Sequence, residues 1–298
     1  MNTNKEAKGT KQRTLWQEAW RRFKKDKAAI VGVIFLLILT ILAIVTVFID
    51  IGTDGRIYNE YVIKQDLRNR LEPPSIKHPF GLDEFGRDML FRMIWGIRYS
   101  LFLGVLAIFA SVLVGGLLGA IAGYYKKADN IIMRFMDILL AIPSILLAIA
   151  IVAALGPSVT NLLIAVLISY VPTFARIVRA SVMTLKDEEF IEAAKAVGAS
   201  DIRIIFKYII PNSLAPIIVQ ATLGVAGAIL NIAGLSFLGL GIEPPTPEWG
   251  GMLSNARTYI RDSWHITLIP GMGIMLTILA LNLVGDGLRD ALDPRLKN

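Results

Sequence analysis

Two histidines, His78 and His265, and no cysteine are all that the 298-residue chain offers for thiol or soft-metal chemistry. Zinc needs several Cys, His or carboxylate ligands at close spacing. No such cluster occurs, and His78 reads as a loop-packing residue. No nucleophile–base arrangement is evident, and no G-x-x-x-x-G-K-S/T loop exists to cradle a phosphate. The polar groups of most interest lie inside apolar runs. Asp137 stands three residues after Arg134, and an i,i+3 pair would offset its burial. An unrelieved Asp at the centre of a membrane helix costs roughly 2.5–3.5 kcal/mol. Asn231 and Asn282 suit either hydrogen bonds between helices or the lining of a cavity. The reading is a non-enzyme with no catalytic or metal-binding residue.

The elements that must hold these groups are membrane spans. The chain is 54% hydrophobic and only 18% charged, with a mean hydropathy of +0.58, where soluble domains carry about 25% charge. A bilayer core about 30 Å thick needs roughly 20 apolar helical residues. Six runs qualify: Ala28–Phe48, Leu101–Tyr124, Ile131–Leu155, Asn161–Ile177, Leu214–Phe237 and Leu268–Leu288. The first lacks a cleavage site of small residues and is read as an uncleaved span.

Charge sets the orientation. Lys5, Lys8, Lys11, Arg13, Arg21, Arg22, Lys24, Lys25 and Lys27 precede the first span and face only Glu6, Glu18 and Asp26. A basic flank of this kind marks the cytoplasmic side, so the net charge of +7 points to a membrane and not to nucleic acid. Lys126, Lys127, the basic stretch from Arg176 to Pro211, and the tail with Arg289, Arg295 and Lys297 then all fall on that side. Both termini are expected there. Leu15, Trp16, Ala19, Trp20 and Phe23 have helical spacing among cations, so residues 1–27 read as a cytoplasmic segment with an amphipathic helix on the anionic leaflet, or as an extension of the first span. Residues 49–100 form an outer loop and a lead-in to a five-helix core over 101–298. Gly115, Gly119 and Gly123 are small-xxx-small steps, as are Gly224 and Ala228, and suit packing within the subunit or against a partner. Pro143 and Pro172 predict kinks, and Glu243, Pro244, Pro245, Pro247 and Trp249 a stiff outer loop.

The most informative segment lies between the fourth and fifth spans, within 182–211: DEEFIEAAKAVGASDIRIIFKYIIPN, from Asp187 to Asn212. Phe190, Ile191, Ala194 and Val197 make one helical face, and Gly198 suits a left-handed stop. Ser200 or Asp201 is placed to cap a second helix, on which Ile202, Ile205, Phe206 and Ile209 share a face. Pro211 is expected to end it, and Pro216 to fall in the first turn of the next span. An apolar face outside the bilayer needs a protein surface. The subunit's own helix ends and a soluble partner both qualify.

Glu192-Ala193-Ala194, then Gly198, then Ile209-Ile210-Pro211 resembles the cytoplasmic EAA loop of binding-protein-dependent ABC import permeases. Tyr208 and Ile210 replace the family's usual Ile and Leu. HPFGLDEFGRDMLFRMIWGIRYSL (His78–Leu101) and GLSFLGLGIEPPTPEWGGML (Gly234–Leu253) are similar to the C-type subunit of dipeptide, oligopeptide and nickel importers. The resemblance covers essentially the whole chain. Ile232 departs from it, standing where many relatives carry an acidic residue.

The resemblance implies an all-α polytopic protein of six transmembrane helices with the type I ABC importer permease fold, in a bacterial cell membrane. It implies partners: a second permease subunit, two ATP-binding subunits and an extracytoplasmic peptide-binding protein. ATP and its Mg would bind the partner subunits, and no cofactor this chain. Glu192, Ala193, Ala194, Gly198, Ile209 and Pro211 would couple the permease to the ATPase, with Ala194 chosen for its small size against the ATPase cleft. A permease for nickel or another small solute, and an ion-coupled secondary transporter, are the competing readings.

Overall fold

A computed structural model describes residues 15–293. Lys5, Lys8, Lys11 and Arg13 of the basic flank, and Arg295 and Lys297 of the tail, lie outside the described residues. Helix α1 (Leu15–Phe23) leads to α2 (Lys27–Gly52), which begins where Asp26 accepts the N–H groups of Ala28 and Ala29 at 2.9 and 3.1 Å. Such a cap satisfies donors that the first helical turn leaves orphaned. Of the α1 face expected on the leaflet, Ala19 and Phe23 are buried in one cluster with Ala29, Val284 and Ala291. Trp20 is exposed, with the Lys24 ammonium 5.0 Å from its ring centroid. The protein, not lipid, covers those two side chains.

The segment after α2 holds a short π turn (Tyr58–Ile63) and an irregular stretch up to Asp88. Asp88 caps α3 (Met89–Tyr124), accepting from Leu90 and Phe91 at 2.8 and 3.2 Å while its other oxygen meets His78 Nδ1 at 2.7 Å. At 36 residues, α3 is about 54 Å long, far beyond a bilayer core. It starts twelve residues before the expected span at Leu101 because its charges find protein partners. Arg98 meets Asp50 at the end of α2 at 2.7 Å. Buried Arg92 donates to the carbonyls of Val62 and Pro245, both at 3.1 Å, and lies 3.2 Å from Asp83. Asp83 also takes Arg87 Nε at 2.7 Å. These groups join three loops above the membrane. Burial first, and then the Asp83 charge, push the Glu84 carboxyl up from its ordinary range.

The third span, expected as one helix with a kink, is broken. Helices α4 (Lys126–Leu140) and α5 (Ser144–Leu155) meet at 87°. Pro143 lacks an N–H and disfavours helical geometry at Ile142, so the chain turns there and restarts at Ser144. The Ser169 hydroxyl of the next helix, α6 (Val159–Leu185), donates to the Ser144 carbonyl at 3.2 Å and braces the restart. Pro172, by contrast, lies inside α6 without breaking it.

Helix α7 (Glu189–Ala196) follows, then α8 (Asp201–Ile204), a π turn (Ile205–Ile209) and α9 (Ile210–Asn212). The last elements are α10 (Leu214–Phe237), α11 (Trp249–Ala256) and α12 (Trp264–Leu292). Pro216 lies in the first turn of α10. Buried Glu248 caps α11 through the amides of Gly250 and Gly251, at 2.8 and 2.7 Å, and burial nonetheless raises its pKa.

Among the described residues, five helices are long and apolar enough to cross a membrane, and six spans result if α4–α5 counts as one. It does so count. Tyr124 and Tyr125, at the end of α3, touch Asp201, beyond the end of α6. Those two ends therefore share one side, and since α6 crosses once, α4–α5 crosses once as well. Phe23 and Ala29 pack with Ala291, which puts both ends of the described chain on that same side.

The tightest packing joins α3 to α6. A Cβ on Gly115 would lie 2.5 Å from the Val171 carbonyl oxygen, on Gly119 2.3 Å from that of Ala175, and on Gly123 2.9 Å from that of Arg179. Glycines one turn apart thus face carbonyls one turn apart, and the Ser111 hydroxyl donates across to Leu167 O at 3.0 Å. Gly224 packs against Ile108 and Phe174, and Ala228 is fully buried. Both sets of small residues serve packing within the subunit. Gly119→Ala forces the backbones apart, a strain of about 1–3 kcal/mol. It should lower the melting temperature in detergent. Gly116→Ala, whose Cβ would meet nothing closer than a Val178 methyl at 3.8 Å, should leave it unchanged.

Candidate functional site

The segment between α6 and α10 has two faces with different fates. Ile191, Ala194, Ile204, Ile205 and Ile209 are buried and form one cluster with Ala120, Val178, Val182 and Ile217 from the ends of the spans. On the other side Val197 is 84% exposed, Ile202 71%, Phe206 56% and Phe190 41%. Glu192 and Ala193 are exposed as well. Neither predicted helical face is therefore buried whole. Ile191 and Ala194 turn inward while Phe190 and Val197 turn outward, and Ile205 and Ile209 part from Ile202 and Phe206 in the same way.

A change of helical register underlies the second split. Pro211 was expected to end the helix, yet the chain stays helical through Asn212. Pro211 has no N–H for the carbonyl four residues back, and its ring would crowd that carbonyl. The chain accommodates it with the π turn, in which Ile210 N–H reaches the Ile205 carbonyl. One extra residue in a turn rotates everything after it, a common use of single π turns.

Gly198 has φ +80° and lies in no one's way. Ala199 N–H bonds to Ala194 O at 3.0 Å and Gly198 N–H to Lys195 O at 2.9 Å. This pair of bonds is the Schellman end, which favours glycine at its left-handed position. Ala194 is sealed beneath it. Its small size suits packing against its own subunit. The Ser200 side chain makes no cap, and the Asp201 carboxylate is taken by tyrosines instead.

Among the polar groups of the spans, Asp137 does not pair with Arg134. It meets Arg176 of α6 at 2.6 Å, and Asp129 meets Arg179 Nη2, also at 2.6 Å. Helix α4 lies along α6, so two acids on one helix face two arginines a turn apart on the other. Asn231 donates to the Tyr170 hydroxyl at 3.3 Å. Asn282, half-buried in α12, joins none of these contacts, and Ile232 is buried in the central core. The α4–α6 ion pairs could have been found from opposite charges at one end of a helical hairpin. Asp201, far from its tyrosines in sequence, carried no local signal.

A family model for the binding-protein-dependent transport system inner membrane component matches residues 111–298. A second, for the N-terminal transmembrane domain of oligopeptide transport permease C, matches residues 14–74. The chain is a binding-protein-dependent transport permease. The dipeptide transport system permease of Alkalihalophilus pseudofirmus is 52% identical over 95% of this permease and 91% of that protein. The di/tripeptide permease of Pseudomonas aeruginosa is 44% identical over 95% and 93%, and the glutathione permease of Escherichia coli O6 is 44% identical over 96% and 92%. A chain of the inward-facing MetNI methionine ABC transporter superposes with a TM-score of 0.56 at 17% identity, covering 69% of the permease and 98% of that chain. The permease thus has the ABC importer permease fold.

Gly198→Ala places a Cβ in a left-handed conformation at a cost of about 1–2 kcal/mol. Amide exchange over residues 196–199 should accelerate roughly tenfold, and unchanged protection would remove the strain argument.

Proposed function

We propose that the permease forms half of the translocation path of an ATP-driven peptide importer, with a second permease subunit, two ATPase subunits and an extracytoplasmic binding protein. The observation that carries this is the two-faced element between α6 and α10. Its inner isoleucines are seated on the span ends, and Phe190, Val197, Ile202 and Phe206 stand exposed. A monomer gains nothing from holding four large apolar side chains in water beside Glu188, Glu189 and Glu192, whereas a partner's groove would bury them. Glu192, Ala193 and Gly198 border that patch. Ala194 and Ile209 act from beneath it by fixing its height on the spans, and Pro211 by setting the register of the π turn.

The face bearing this element is then the cytoplasmic one, in keeping with Lys126, Lys127, Arg203 and Lys207. ATP and Mg bind the partner subunits. A partner moves the permease only if it holds the element differently in its two states. Relatives named for dipeptides, di/tripeptides and the tripeptide glutathione support peptide cargo over nickel. Asp129 and Asp137 are engaged by arginines, which suits structural ties better than the ion sites of a secondary transporter.

The test is mild-detergent purification of native complexes, with co-purifying chains identified by mass spectrometry. Wild type should retain ATPases and a second permease. Ile202→Asp with Phe206→Asp should lose the ATPases and keep the second permease, because both side chains are exposed and their change leaves the fold intact. Glu192→Arg or Gly198→Asp should abolish peptide uptake with the subunit still in the membrane. Wild type purifying alone would move the secondary-transporter reading to the front.

A further inference from the structure

Asp201 opens α8, where an acidic side chain ordinarily serves its own helix. Here both of its oxygens are given to another part of the chain. Tyr124 OH donates to Oδ1 at 2.8 Å and Tyr125 OH to Oδ2 at 2.9 Å, across sequence separations of 77 and 76 residues. The two rings stand edge to face with centroids 5.0 Å apart, so consecutive side chains at the α3–α4 corner close on one carboxylate. The hydrogen bond to Asp201 pushes the Tyr125 hydroxyl pKa up, as expected of a phenol that donates to an anion.

The corner is held from a second side. Asp129, in the first turn of α4, is bound by Arg179 of α6, and Gly123 packs against Arg179 and Val182. Beneath Asp201, Ile204 is fully buried in the cluster that contains Ala120 and Tyr124. Helix α4 leads from this corner to the break at Pro143, which borders a cavity of about 260 Å³ lined by Ser144, Ser169, Tyr170 and Thr173. A displacement of the exposed patch thus has two routes into the membrane. One runs along the chain through α6. The other runs through Asp201 into the α3–α4 corner and on to the broken span.

We propose that Asp201, gripped by Tyr124 and Tyr125, is a positioning residue for transport that transmits movement of the docking element to the α3–α4 corner. This rests on the importer reading above. The measurement uses the complete importer reconstituted in liposomes with its binding protein, and reads trialanine accumulated per ATP hydrolysed together with the ATPase retained. Asp201→Ala, and Tyr124→Phe with Tyr125→Phe, should each cut that ratio by a factor of roughly three to ten. The triple variant should fall no further, as for one shared interaction. Asp201→Asn keeps one acceptor oxygen and should recover part of the loss, with ATPase content unchanged throughout. An unchanged ratio, losses that multiply in the triple variant, or ATPases shed by the double tyrosine variant would each overturn the proposal and leave the importer reading standing. A wild-type complex without ATP-dependent uptake would sink the importer reading and this one with it.

Discussion

The close approach of α3 and α6 is the constraint on which the rest of the molecule depends. Lipid chains are as apolar as leucine, so spans are not driven together by leaving water and must gain from contact itself. Gly115, Gly119 and Gly123 bring one backbone onto the carbonyls of Val171, Ala175 and Arg179. The reach of every neighbouring contact follows from that distance. Ser111 spans it with one hydrogen bond, and the platform under Ile191, Ile204 and Ile209 is built from the adjoining ends of the same two helices together with Ile217 of α10.

Much of this was legible from the sequence, for definite reasons. Twenty-residue apolar runs and lopsided basic flanks are coarse signals that lipid imposes, and the six spans follow from them. Gly198 was readable because a left-handed helix end tolerates little else. Other features depended on facts a linear pattern does not hold. The rule that predicts a kink at Pro143 does not tell a kink from a right-angled break, which needs the neighbouring helix and its Ser169. Pro211 breaks a regular helix in isolation, but a π turn absorbs it, and a single inserted residue then undoes any face drawn at a constant period. Asp137 took a partner from another helix, Arg176, in place of the local candidate Arg134.

Function and fold meet in the division of the segment between α6 and α10. Its buried isoleucines could be mistaken for ordinary core and its exposed phenylalanines for ordinary surface. Together they describe a plate seated on the spans on one side and exposed on the other. The arginine–aspartate pairs between α4 and α6 tie a further helix to the one that leads into the segment.

The buried Arg92 bears on how the protein is made. Its guanidinium takes the Pro245 carbonyl, 153 residues later, which at ribosomal speeds is on the order of ten seconds of synthesis. Until then Arg92 has only nearer partners, such as Asp83 and Val62, and the outer surface lacks its last strap. Insertion of the early spans must therefore run ahead of closure of the outer surface. A nascent chain stalled in between would hold Arg92 on the Val62 carbonyl and beside Asp83, without the bond that ties it to the later loop.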